Sequence, residues 1–246
     1  MIRGAGIAMI FQDPMSSLNP VFTIGEQLIE VLLHHRHMDR RTARTRAVDM
    51  LGHVGLPDPP RIMRSYPHQL SGGMRQRILI AMSLLCSPDV LIADEPTTAI
   101  DVTVQIQILA LLRRLKAEMG MAVLLISHDL SVVAEICNAV AVMYAAQIVE
   151  QAPVTDLFER PLHPYTVGLL ESIPAHNPPK HRLPEIDGQV PHPRHYPVGC
   201  RFAPRCRIAS EVCILHKPIL QQVEEGHSVA CWNWPRTPEC CRHREG

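Results

Sequence analysis

The feature that most constrains this chain is a short apolar run, Val90-Leu91-Ile92-Ala93, that ends abruptly in two carboxylates, Asp94 and Glu95. Apolar residues in an unbroken row fit a strand covered on both faces, which is the habit of parallel sheets. Similar runs lie at Ile7 to Phe11, Ala122 to Ile126 and Ala139 to Met143, separated by helical spacings such as Val104, Ile108, Leu111, Leu112 and Leu115. Buried strands alternating with amphipathic helices predict an α/β fold, a parallel sheet with helices on both faces. Ligands of such sheets bind at the carboxyl ends of the strands, so Asp94 and Glu95 are expected to meet a crevice. Successive side chains on a strand point to opposite sides, so the two acids take different tasks. One can hold Mg²⁺ while the other orients and deprotonates an attacking water, the division of labour of phosphoryl transfer.

A second element points the same way. Ser71-Gly72-Gly73 precedes a helical stretch running from Arg75 to Leu85. A serine cap followed by glycines leaves backbone N–H groups open at the positive end of a helix dipole, where phosphate binds. Between Thr23 and Pro67 the pattern is helical, with Ala43, Ala47, Met50, Leu51 and Val54 on one stripe and Arg40, Arg41, Arg44 and Arg46 largely off it. That stretch reads as a small helical insert, and the basic cluster fits equally a solvated face. From Pro174 to Pro197 prolines and histidines crowd the chain and periodicity is lost, which places a boundary near Pro174. The histidines between His176 and His195 lack paired ligand spacing and read as loop residues.

Composition narrows the class. A length of 246 residues allows one large domain and a small appendage. Lys plus Arg and Asp plus Glu each number 24, so no excess positive field attracts a phosphate backbone, and nucleic acid is not expected as a partner. The apolar stretch before Gln12 and Asp13 is too brief for a signal-peptide core, and no run reaches the roughly 20 residues that cross a bilayer. Any membrane association is therefore expected to be peripheral.

The run LSGGMRQR (Leu70 to Arg77), followed after a short interval by VLIADEPT (Val90 to Thr97), resembles the ATPase subunits of ABC transporters. Gln12 stands where that family has its Q-loop glutamine, Leu70 to Gly73 match its signature motif, and Val90 to Glu95 match its Walker B strand. Asp101 matches the D-loop aspartate, with Ile100 where leucine is more usual, and His128 after Ile126-Ser127 matches the switch histidine. The resemblance implies ATP and Mg²⁺ as cofactors, with Asp94 and Gln12 on the Mg²⁺. It also implies Glu95 as general base, Gln12 assisting the water, and His128 on the γ-phosphate. Ser71, Gly72, Gly73, Gln76 and Asp101 are implied nucleotide contacts across a head-to-tail dimer.

FQDPMSSLNP, YPHQLSGGMRQR, ADEPTTAIDVTVQ and HPYTVGLLESIP (His163 to Pro174) resemble the dipeptide and oligopeptide importers more narrowly. The implied function is ATP hydrolysis coupled to peptide uptake, performed peripherally at the cytoplasmic face of the bacterial inner membrane. Implied partners are a second ABC ATPase subunit, two membrane-spanning permease subunits and, indirectly, an extracytoplasmic peptide-binding protein. Residues 1–160 are expected to form a partial ABC ATPase domain with a helical subdomain at about 23–85. Residues 161–235 are expected to form a peptide-importer C-terminal region, irregular and Cys-rich, and 236–246 a tail.

The phosphate-cradling pattern GxxxxGK[ST] occurs nowhere in these 246 residues, and only eleven precede Gln12. By resemblance the chain is the domain without its opening third, N-terminally truncated, and apolar sheet edge and helix faces are expected to lie uncovered. Two other readings are a non-catalytic partner or pseudogene product that only donates Ser71 to Gly73, and an importer of nickel or another small solute. A soluble ABC ATPase of translation or repair conflicts with the HPYT segment.

Cys200, Cys206, Cys213 and Cys231 lack the tight C-x₂₋₄-C knuckle of zinc sites, which leaves zinc, an iron–sulfur cluster and unligated thiols open. The resemblance favours a [4Fe–4S] cluster, which some peptide-importer ATPases carry in this region. Cys86 and Cys137 fall in apolar helical pattern and read as small core residues, while Cys240 and Cys241 carry no assigned role.

Overall fold

The computed structural model describes residues 2–12, 17–98, 100–173 and 185–237. The chain divides into two compact units, residues 1–128 and 129–246.

The first unit holds three strands, β1 (Ile7–Ile10), β2 (Val90–Asp94) and β3 (Ala122–Ile126), all parallel in the order β1-β2-β3. Five helices accompany them: α1 (Ile24–Arg36), α2 (Arg40–His53), α3 (Pro59–Ile62), α4 (Gly72–Leu84) and α5 (Val102–Met119). Local chemistry starts each of the longer ones. At α1, Glu26 N–H donates to Thr23 Oγ1 at 3.3 Å, and Thr23 N–H donates to the Glu26 carboxylate at 2.9 Å, a reciprocal capping box. Asp39 caps α2 by accepting from the Arg41 and Thr42 N–H groups. Ala43, Ala47 and Leu51 turn inward from α2, and the small alanines let it lie close to α1. Arg40, Arg41 and Arg44 stay exposed, so the basic cluster is the outer face of the helical insert.

Ile78, Ile80 and Leu84 of α4 and Ile108, Leu112 and Leu115 of α5 are buried against Ala8, Ile10, Leu91 and Ala93 of the sheet. Each buried Ile or Leu among them contributes about 2 kcal/mol from burial. The sequence predicts helices on both sheet faces, but among the described residues of the first unit no helix covers the other face. Ile7, Met9, Leu124 and Ile126 point to it, and the last two are 55% and 45% exposed.

The second unit is built differently. Here β4 (Ala139–Tyr144), β5 (Gln147–Pro153), β6 (Gln221–Glu224) and β7 (His227–Val229) form an antiparallel sheet in the order β4-β5-β7-β6. The apolar run at Ala139 to Met143 is thus not a strand of the parallel sheet. A two-residue turn with Ala145 and Ala146 at φ 46° and 60° sends the chain straight back. The Cys-rich region is also more regular than its composition predicts, since β6 and β7 extend this sheet.

Four short helices complete the unit: α6 (Leu130–Ile136), α7 (Val154–Glu159), α8 (Pro164–Glu171) and α9 (Glu211–Leu215). Glu150 of β5 is fully buried and accepts from the N–H groups of Leu162 and His163 at 2.6 and 3.0 Å, with His227 Nε2 at 2.8 Å. A buried carboxylate with three such partners is satisfied, and it ties β5 and β7 to the start of the HPYT helix. Among the described residues, no helix is long and apolar enough to cross a membrane.

Candidate nucleotide-hydrolysing site

Parallel strands in register bring their following loops to one edge. Ile10 pairs with Ala93, and Asp94 with Ile126, so Gln12, Glu95 and His128 emerge side by side at the carboxyl end of the sheet. Gln12 Nε2 donates to Glu95 Oε2 at 2.7 Å, and Thr98 Oγ1 donates to the same oxygen at 2.8 Å. His128 Nδ1 lies 3.1 Å from Glu95 Oε1. The Thr98 hydroxyl first, then His128 and Gln12, hold the Glu95 carboxyl below its usual range, so it is ionised at physiological pH.

Glu95 itself adopts φ 45°, a left-handed conformation that costs a non-glycine residue about 1–2 kcal/mol. Its N–H donates to Ile126 O at 2.9 Å, which holds the strained turn onto β3. Asp94, half-buried at the end of β2, sits on the same edge. Asp94 and the Gln12 side-chain oxygen are the groups on this edge that could hold Mg²⁺, with phosphates and water supplying the remaining ligands.

The signature residues form the start of α4. Ser71 Oγ accepts from Met74 N–H at 3.3 Å, an N-cap that stops the glycines from fraying. A Cβ on Gly72 would meet nothing within 4 Å, whereas one on Gly73 would lie 2.8 Å from Val104 Cγ1. Gly72 therefore faces open space and Gly73 lets α4 approach α5 closely. Asp101 caps α5 through Val104 N–H at 3.0 Å.

Gln76 is a correction to the sequence reading. It is 1% exposed and its Nε2 donates to Pro96 O at 2.7 Å, so it braces the loop after β2 from within and is not presented to a ligand. One residue the sequence reading missed is Thr98. Its signal was its position three residues beyond Glu95 in a tight turn, where a hydroxyl reaches back to a side chain.

Comparison with known proteins follows this geometry. Residues 2–98 match the family described as ABC transporter, and residues 149–213 match the oligopeptide/dipeptide transporter C-terminal region. A probable peptide ABC transporter ATP-binding protein of Sinorhizobium fredii is 55% identical over 94% of this chain and 69% of its own length. The chain belongs to the ATP-binding proteins of peptide ABC transporters. AppD, the oligopeptide transport ATP-binding protein of Bacillus subtilis, is 53% identical over 94% of this chain and 70% of its own length.

Among solved structures, a dimeric ATP-binding cassette in a post-hydrolysis state with ADP and Pi aligns with TM-score 0.54 and 28% identity, over 61% of this chain and 64% of that one. The protein cbiO1 from Clostridium perfringens, part of the ABC transporter complex cbiONQ, aligns with TM-score 0.56 and 26% identity, over 67% of this chain and 64% of that one. The chain thus spans about two thirds of the length of its relatives. Its family is that of energy-coupling ABC ATPases, in which ATP binds with Mg²⁺.

In the tail of this peptide-transporter family member, Cys200, Cys206, Cys213 and Cys231 share one neighbourhood. Burial first, then the Cys206, Cys200 and Cys213 thiols, push the Cys231 thiol up to about 12. Cys200 N–H donates to Cys213 O at 2.7 Å, an approach open only because Gly199 has no Cβ, which would lie 2.3 Å from that oxygen. Yet among the described residues no group of three or more His, Cys, Asp or Glu side chains could hold a metal ion. The four thiols are therefore neighbours without forming a metal-holding group among the described residues. Cys86 is buried and Cys137 half-buried, whereas Cys240, Cys241, His176 and His181 lie outside the described residues.

Proposed function

We propose that the chain performs the hydrolytic and coupling work of a peptide importer's ATPase. The observation that carries this reading is the convergence of Gln12, Thr98 and His128 on the Glu95 carboxylate at the sheet edge. Both Glu95 oxygens are engaged by these side chains. When Gln12 and His128 turn to the nucleotide, one oxygen is freed to orient the attacking water and accept its proton. His128 then contacts the γ-phosphate, where transition-state charge collects. Asp94 and Gln12 would hold Mg²⁺, which supplies neutralisation of phosphate charge.

Ser71, Gly72 and Gly73 present backbone N–H groups from the start of a 13-residue helix to a nucleotide seated on a second ATPase subunit. Asp101 lies at the same dimer face. Gln12 also transmits the nucleotide state to two membrane-spanning permease subunits at the cytoplasmic face of the membrane, with an extracytoplasmic binding protein delivering solute. The four-cysteine neighbourhood is assigned no step.

The test is reconstitution with the permease subunits in vesicles. ATP hydrolysis stimulated by di- or oligopeptides with the binding protein is expected. Stimulation by nickel in place of peptide would contradict the substrate class.

A further inference from the structure

The second unit contains a groove of about 380 Å³ that the hydrolytic site does not use. It runs between the start of β5 and the segment that leads into β6. Its volume falls in the range of small-molecule sites, roughly 300–1,000 Å³. Phe202 forms buried floor, while Ile148, Leu220 and Ile219 form walls, the last 69% exposed. Large aliphatic side chains left open together around one concavity are unusual on a surface that has no use for them.

The charged side chains of the lining are both cations, Arg201 and Lys217, and no carboxylate lines the groove. Arg201 is held in place. Its guanidinium stacks 3.8 Å from the Tyr196 ring centroid and also donates to Ala145 O, and its other N–H groups remain available. Lys217 has no carboxylate partner among the described residues. The Gln147 side chain adds an amide that can both donate and accept. Apolar walls, two cations and one amide are the complement of a small apolar molecule that carries a carboxylate and a peptide group.

We propose that this groove binds a short apolar peptide through its C-terminal carboxylate. The floor residues Val149, Arg201 and Phe202 lie within the stretch matching the oligopeptide/dipeptide transporter C-terminal region. Resting on the importer reading, the groove would then sense the peptide class that the importer delivers. Fatty acids share the carboxylate and the apolar body, but they have no use for the Gln147 amide.

The experiment is isothermal titration of the purified chain with leucyl-leucine, leucyl-leucine amide and octanoate, repeated on Lys217→Glu and Lys217→Gln. Saturable binding of leucyl-leucine is expected, weakened about tenfold by amidation and by either substitution. Lys217 is exposed, and the amide arm uses the unaltered chain, so the result does not depend on a variant folding. Absence of leucyl-leucine binding, indifference to amidation and to both substitutions, or tighter binding of octanoate would each overturn the proposal. Because the titration needs no hydrolysis, its outcome is independent of whether the ATPase reading stands.

Discussion

Gln12 Nε2 donates to Glu95 Oε2 at 2.7 Å, joining the loop after β1 to the loop after β2 across 83 residues of sequence. The same oxygen accepts from Thr98, so one carboxylate oxygen carries two donors while the other faces His128. The carboxylate is thereby fixed in direction by three side chains.

Removing the Thr98 donor loosens that alignment. Thr98→Val is expected to lower kcat about tenfold with little change in KM, because a hydrogen bond to a charged group contributes about 1.5–3 kcal/mol and acts on orientation. Thr98→Ser keeps the hydroxyl and is expected to restore the rate. Steady-state kinetics of the reconstituted transporter decide it, and equal rates for the Val and Ser variants would remove Thr98 from the account.

The two signature glycines separate into a structural and a functional one. Gly73→Ala drives a methyl to 2.8 Å from Val104 and is expected to destabilise the first unit by about 1–3 kcal/mol. Gly72→Ala meets nothing within 4 Å and is expected to leave thermal stability unchanged while weakening nucleotide-dependent dimerisation. Melting curves of both variants test this, and equal losses of Tm would contradict it.

His163 makes the second unit acid-sensitive. Burial lowers its pKa from 6.5 to about 3, so the folded imidazole stays neutral while the unfolded chain takes up a proton below about 6.5. Between those values the unfolded state binds more protons, and stability falls as the pH falls, by about a factor of ten in the folding equilibrium per pH unit. Above 6.5 this contribution is constant. His163 Nδ1 accepts from Tyr165 N–H at 3.1 Å, a cap that Asn can replace without titrating. His163→Asn is therefore expected to flatten denaturant midpoints measured between pH 6.5 and 4, and an unchanged slope would refute the assignment.

The first unit was largely legible because its signals are local. The apolar run ending in Asp94 and Glu95 marks a strand end, and Ser71-Gly72-Gly73 marks a helix start. What failed depended on tertiary context. Tyr144-Ala145-Ala146-Gln147 turns as a hairpin with none of the Asn or Gly that usually marks φ above zero, so β4 was assigned to the wrong sheet. Gln76 sits beside the signature glycines in sequence, yet helical rotation carries it to the buried side against Pro96. Strands β6 and β7 are only four and three residues long, too short to show a period, and the pairing of β7 with β5 joins segments some 77 residues apart.

The central claim is that Glu95 is the base of an ATPase cycle that drives peptide uptake. Its most direct measurement is single-turnover ATP hydrolysis by the transporter assembled from ATPase subunits that contain these 246 residues, the permease subunits and the binding protein, with Glu95→Gln compared alongside. The account predicts peptide-stimulated hydrolysis that falls by about 10²–10⁴ in the Gln variant while bound ATP is retained. Hydrolysis that is absent from the unaltered assembly, or that persists undiminished without the Glu95 carboxylate, would contradict it.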